Sequence, residues 1–77
     1  MRWKYFFVSL SDGIYIYEYV RENADTRGIV RFDATTGKGE VIRPCSLDEG
    51  YEPDAALSHF FSVVDAGFPE EYSVSCG

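Results

Sequence analysis

Two runs dense in aromatic and β-branched side chains open the chain, Trp3–Leu10 and Ile14–Val20, the composition that suits a pleated, half-buried strand. Between them lies Ser11-Asp12-Gly13. Asp-Gly between such runs favours a two-residue turn, because both residues tolerate the positive φ that the turn requires. A turn at Asp12-Gly13 pairs Leu10 with Tyr15, Val8 with Tyr17 and Phe6 with Tyr19. In that register Phe6, Val8, Leu10, Tyr15, Tyr17 and Tyr19 share one face. Trp3, Tyr5, Phe7, Ile14, Ile16 and Val20 share the other, interrupted by Ser9 and Glu18. Such a hairpin, apolar on both sides, is either covered on both or offers one face to a partner.

A polar stretch, Glu22–Gly28, leads into a second hairpin over 28–44. Its strands are Ile29–Asp33 and Glu40–Arg43, joined through Ala34-Thr35-Thr36-Gly37. With that loop Asp33 faces Lys38 and Arg31 faces Glu40, two opposite-charge pairs on one face, while Val30, Phe32 and Val41 share the other. Pro44 ends the fourth strand, since it has no N–H to give to a ladder. Ser46-Leu47-Asp48-Glu49 has the spacing of a capping box and predicts a single turn before Gly50. Over 53–66 the period changes to that of a helix, with Leu57, Phe60, Phe61 and Val64 at i, i+3, i+4 and i+7 and Ala56 and Val63 widening the stripe. Pro53 suits the first helical position, Asp54 complements the positive helix N-terminus, and Gly67 with Pro69 supplies the stop. Residues 71–76 alternate enough for a short edge strand, a loose tail being the rival. The expected fold is thus α+β: one small domain over 1–77, with a four- or five-stranded antiparallel β-meander and one C-terminal helix packed on one face.

Composition supports a folded domain. Hydrophobic residues make up 45% of the 77 and aromatics 17%, far from the depletion that marks disorder. The net charge is −6, unevenly spread. All seven cations lie within the first 43 residues, where six carboxylates nearly cancel them; beyond Arg43 stand only acids, Asp48, Glu49, Glu52, Asp54, Asp65, Glu70 and Glu71. This balance argues against binding nucleic acid or an anionic membrane. Arg21, Arg27, Arg31 and Arg43 with nearby tyrosines suggest a stacking platform for bases, but Glu18, Glu22, Asp25, Asp33 and Glu40 interleave with them and point to paired surface charges.

Candidate chemistry is thin. His59 has Ala55, Ala56, Ser62 and Val63 at helical neighbour positions, so no second ligand or base accompanies it. One histidine and the widely spaced Cys45 and Cys76 match no zinc spacing. Two cysteines are too few for a disulfide framework, and reduced thiols are expected. Arg43 near Cys45 favours a reactive thiolate, whereas Asp48 and Glu49 oppose it. Thr36-Gly37-Lys38-Gly39 imitates a phosphate loop, but Phe32 stands where that motif has glycine and Gly39 where it has Ser or Thr. There is no Gly-x-Ser-x-Gly elbow. The basic, apolar start Met1–Val8 lacks the length and cleavage site of a signal peptide, and no run approaches the ~18 apolar residues of a membrane span.

These features predict a cytoplasmic, non-enzymatic protein without metal or cofactor, acting through a protein partner or by self-association as a homodimer. The candidate interaction residues are the aromatics Trp3, Tyr5, Phe7, Tyr15, Tyr17 and Tyr19 and the acids Asp48, Glu49, Glu52 and Asp54. An alternative expectation is an acidic mimic of nucleic acid that inhibits a basic protein; a small hydrolase-like enzyme is a remote third.

Overall fold

In a computed structural model, described over residues 2–46 and 52–75 and by backbone alone for 52–54, the chain forms β1 (Arg2–Ser11), β2 (Ile14–Arg21), β3 (Gly28–Asp33), β4 (Lys38–Arg43), α1 (Glu52–Asp65) and β5 (Glu71–Ser75). The five strands make one antiparallel sheet in the order β4-β3-β2-β1-β5, with the helix across one face. The C-terminal stretch is therefore a strand, paired with β1 from Arg2↔Ser75 to Phe6↔Glu71. The turn expected at Ser46–Glu49 falls largely on 47–51, outside the described residues.

Both turns follow from their residues. Asp12 and Gly13 have φ of 52° and 78°, the positive pair whose twist matches the flanking strands. In the second hairpin Asp33 Oδ1 accepts the N–H of Thr35 at 2.8 Å, and Gly37 donates to the Asp33 carbonyl at 2.8 Å, so the aspartate holds its own loop. The pairs Asp33↔Lys38, Arg31↔Glu40 and Val30↔Val41 form as the sequence predicts.

The first hairpin departs from its expected register. Leu10↔Tyr15 holds, but the pairing shifts between Phe7 and Ser9, leaving Val8 as the extra residue of a β-bulge. Phe7 then opposes Tyr17 and Tyr5 opposes Tyr19, where Val8 and Phe6 were expected. One inserted residue exchanges the faces of everything beyond it. Trp3 and Tyr5 thereby join Tyr17 and Tyr19 under the helix, and Phe6 passes to the open side. The two-sided division read from an unbroken ladder is corrected accordingly.

The core consists of Trp3, Tyr5, Tyr17, Tyr19, Val30, Phe32, Cys45, Ala56, Phe60 and Val63. On the helix the buried row is Ala56, Phe60 and Val63, while Leu57 and Val64 flank it and Phe61 is largely exposed. The stripe is thus rotated toward the small residues, which let the helix approach a sheet surface crowded with rings. Phe60 meets Tyr5, Tyr17 and Phe32 at centroid distances of 5.5, 5.2 and 5.7 Å. Two cross-strand pairs set an aromatic opposite a glycine, Tyr19↔Gly28 and Phe32↔Gly39. A Cβ at Gly28 would lie 2.3 Å from Tyr19 Cε1 and 2.5 Å from the Arg43 carbonyl oxygen, so the absent side chain makes room for the ring.

Buried phenols need partners, and the chain places a backbone group at each. Tyr5 donates to the Ala56 carbonyl at 2.5 Å and Tyr17 to the Pro69 carbonyl at 2.6 Å; the Cys45 N–H donates to the Tyr19 oxygen at 3.2 Å. Burial, and secondarily neighbouring Tyr15, push the Tyr17 phenol up to about 12. The helix ends in a Schellman arrangement, Gly67 N–H to the Val64 carbonyl and Phe68 N–H to the Val63 carbonyl, both at 3.0 Å. Phe68 itself has a φ of 57°, unusual for an aromatic residue. It is held there by face-to-face stacking on Tyr15, centroids 3.7 Å apart.

Two predictions follow from this packing. Gly28→Ala should destabilise the fold by about 2–3 kcal/mol, whereas Gly39→Ala, whose Cβ meets the flexible end of Leu57 at 2.9 Å, should cost clearly less; urea midpoints of the two variants give the order. Because Tyr17 titrates higher when folded than unfolded, its contribution is complete below pH ~10 and is lost as pH rises from ~10 towards ~12. Tyr17→Phe should therefore make the fall in urea-unfolding free energy over that interval shallower, by up to about 1.4 kcal/mol per pH unit. Equal slopes in both proteins would refute the assignment.

Candidate functional site

The aromatic residues expected at an interface divide sharply. Trp3, Tyr5, Tyr17 and Tyr19 are buried beneath the helix, and their hydroxyls and rings are engaged in holding it. Tyr15 is half-buried against Phe68. Phe7 stands at the border, 39% exposed, with its ring edge-on to Tyr17. Of the acidic candidates, Asp48 and Glu49 lie outside the described residues, and Glu52 and Asp54 belong to the first turn of α1. His59 packs its ring on Trp3, centroids 5.8 Å apart. Cys45 is buried beside Tyr19, and Cys76 lies outside the described residues.

Among the described residues no group of three or more His, Cys, Asp or Glu side chains could hold a metal ion. Two shallow clefts stand out. One, of about 290 Å³, is lined by Arg2, Lys4, Val20, Arg21, Glu22, Asn23 and Ala24; the other, of about 300 Å³, by Arg31, Lys38, Gly39 and Glu40. Neither is lined by His59 or Cys45. No helix among the described residues is long and apolar enough to cross a membrane.

The helix-free face of the sheet mixes apolar and charged groups. Phe6, Ile14, Ile16, Val20 and Ile29 are half-buried there. Arg27 covers Phe6 with its guanidinium 3.9 Å from the ring centroid while reaching Glu18 at 3.1 Å, and Arg31 approaches Glu40 at 3.9 Å. Such exposed pairs contribute little stability, about 0–1 kcal/mol each. Their consequence is coverage: the long side chains lie over apolar neighbours and keep their charged ends in water. The Arg31–Glu40 pair was legible in the sequence, whereas the cover of Arg27 on Phe6 was hidden by the register shift at Val8.

The sheet's two edges are unlike. β4 carries Lys38, Glu40 and Arg43 and has its own pairing irregularity opposite Ile29/Val30, two devices that discourage a further strand. β5 is Glu71-Tyr72-Ser73-Val74-Ser75, with no proline, lysine or bulge. Beyond the reach of β5, β1 continues paired with β2 only, past a last bond from the Phe7 N–H to the Glu70 carbonyl at 2.8 Å. There Phe7, Val8 and Leu10 are 39%, 50% and 51% exposed. Phe7 was legible in the sequence as an interaction candidate; Val8 and Leu10 were assigned to an apolar face but not singled out, because their exposure depends on where β5 stops. No family model matches this chain, and neither the curated proteins nor the solved structures include a match.

Proposed function

We propose that this chain is a non-catalytic protein-interaction module that binds through the β1/β5 side of its sheet. The observation that carries the reading is the apolar run Phe7, Val8 and Leu10, exposed on a strand that has lost its outer neighbour. The same molecule buries Trp3, Tyr5, Tyr17 and Tyr19 under the helix and covers Phe6 with Arg27, while Ile42 on β4 and Phe61 on the helix are exposed elsewhere. Leaving three apolar side chains exposed within one short stretch of strand is unfavourable by about 25 cal/mol per Å² of surface. Clusters of this kind mark contact sites more often than scattered single residues do. No charged residue occurs from Tyr5 to Ser11; the nearest carboxylates across the β1/β5 ladder are Glu70 and Glu71, beside Phe7 and Phe6.

The double change Val8→Lys with Leu10→Lys removes the apolar surface at two exposed positions and should leave stability within about 0.5 kcal/mol. In a quantitative pull-down from source cells, a specific partner should bind the original chain and lose at least about tenfold in recovery with the variant, the equivalent of about 1.4 kcal/mol. Indistinguishable sets of captured proteins at equal recovery would rule the reading out.

A further inference from the structure

We infer that the partner of the β5 edge is a second copy of this chain, joined antiparallel through β5 about a two-fold axis at Ser73 to give a ten-stranded sheet with both helices on one face. The inference rests on the interaction-module reading in placing the contact on the β1/β5 side, but its pairing is carried by the β5 main chain and does not require Val8 or Leu10.

The main-chain geometry of the edge decides which residues are available. Phe7 donates outward to Glu70, so Phe7 and, by the alternation of the ladder, Tyr5 and Trp3 direct their peptide groups at β5. Their opposite numbers Tyr72 and Val74 direct theirs back at β1. Glu71, Ser73 and Ser75 therefore turn N–H and C=O groups to the outside, where the described residues supply no further strand. Pairing Ser73 with its own copy sets Glu71 opposite Ser75 at both ends. All three outward residues then pair at once, forming about six inter-strand hydrogen bonds. Shifting the strands by two residues in either direction forfeits one of these pairs, or more.

The side chains agree with that register. Tyr72 falls opposite Val74 of the second copy on the helix side, where both are half-buried against the core, and an aromatic–β-branched pair is a favourable cross-strand neighbour. The one charged residue of the strand, Glu71, faces a serine. The two copies of Glu71 stand four residues apart, about 13 Å at strand rise, beyond the Debye length of about 8 Å at physiological salt. The register that opposes Glu71 to itself leaves only one outward pair instead of three. A strand free of charge from Tyr72 to Ser75 offers a charged partner nothing to pair with, whereas it complements itself.

Two copies of a chain with net charge −6 repel at long range, so salt should tighten this association or leave it unchanged; binding of the acidic surface to a basic protein would weaken with salt. Sedimentation equilibrium of the full chain from about 1 to about 200 µM, at low and high salt, should show conversion to twice the monomer mass. Hydrogen exchange at the Glu71, Ser73 and Ser75 amides should slow as concentration rises. Ser73→Pro removes an outward N–H while sparing the bonds to β1, and Ser73→Lys keeps the N–H but sets two ammonium groups face to face across the axis. Each should weaken the dimer at least tenfold with the circular dichroism of the folded monomer retained, Ser73→Lys even though it lowers the overall charge of the chain. Because Ser73 stands opposite Lys4 in β1, Ser73→Lys should do so at some cost in melting temperature. A monomer at every concentration overturns the inference, as does a dimer that both Ser73 variants leave intact. A dimer or a foreign partner lost only on changing Val8 and Leu10 would overturn the β5 pairing while leaving the interaction-module reading standing.

Discussion

Three tyrosines on the two central strands set the terms for the rest of the molecule. Tyr5, Tyr17 and Tyr19 are wholly buried, and a buried phenol without a partner costs about 1–3 kcal/mol. Each finds that partner in the main chain of what covers the sheet: the Ala56 carbonyl within the helix, the Pro69 carbonyl beyond it, and the Cys45 N–H in the segment leading to it. Rings alone would bury area without fixing where the helix lies along the sheet. The hydroxyls anchor it at points 51 and 52 residues distant in sequence, so helix position and sheet register determine one another. Small groups follow from the same demand, since Gly28 must vacate the volume of the Tyr19 ring and Ala56 must let the helix close on Tyr5.

What the chain reveals in advance is whatever is decided locally. The Asp12-Gly13 turn, the charge-matched register of Asp33↔Lys38 and Arg31↔Glu40, and the Gly67 helix stop each depend on a few neighbouring residues, and each forms as expected. The bulge at Val8 is of another kind. Nothing in Phe6-Phe7-Val8-Ser9 distinguishes a straight ladder from a shifted one, because both faces of the hairpin read as apolar. The choice is made by the helix, which must receive Trp3 and Tyr5 beside Tyr17 and Tyr19. A tertiary demand thus overrides the local pattern, and it does so where pattern carries least information. The expected helix stripe packs on the sheet but is centred on Ala56, Phe60 and Val63, with Phe61 at its border, 45% exposed and edge-on to Phe32, because close approach to a floor of rings favours the smaller residue.

Function is less legible than fold for the same physical cause. Interaction surfaces consist of what the core leaves over, and the remainder is known only after the core is assigned. Aromatics that look like surplus in the sequence become the core once the bulge sorts them, leaving Phe7, Val8 and Leu10 exposed where β5 stops short. The chain also manages its surface selectively. Arg27 shields Phe6 on the open face, and Lys38, Glu40 and Arg43 guard β4. β5 lacks the lysine and the bulge of β4 but carries Glu71 at its start, and β4 leaves Ile42 exposed.

The asymmetry of charge sharpens that contrast. Net negative charge disfavours the approach of two copies, yet in the proposed β5 pairing the one charged residue, Glu71, faces a serine and its copy lies beyond the screening length. Long-range repulsion then suppresses indiscriminate collisions, while short-range main-chain pairing selects one geometry. Where a strand edge carries a lysine or a bulge, repulsion and shape act together and pairing is prevented. In the proposed β5 pairing they would act at different ranges, repulsion over the whole molecule and main-chain bonding at one register. Placing the carboxylates elsewhere is therefore compatible with a specific contact: it disfavours association in general without disfavouring this one.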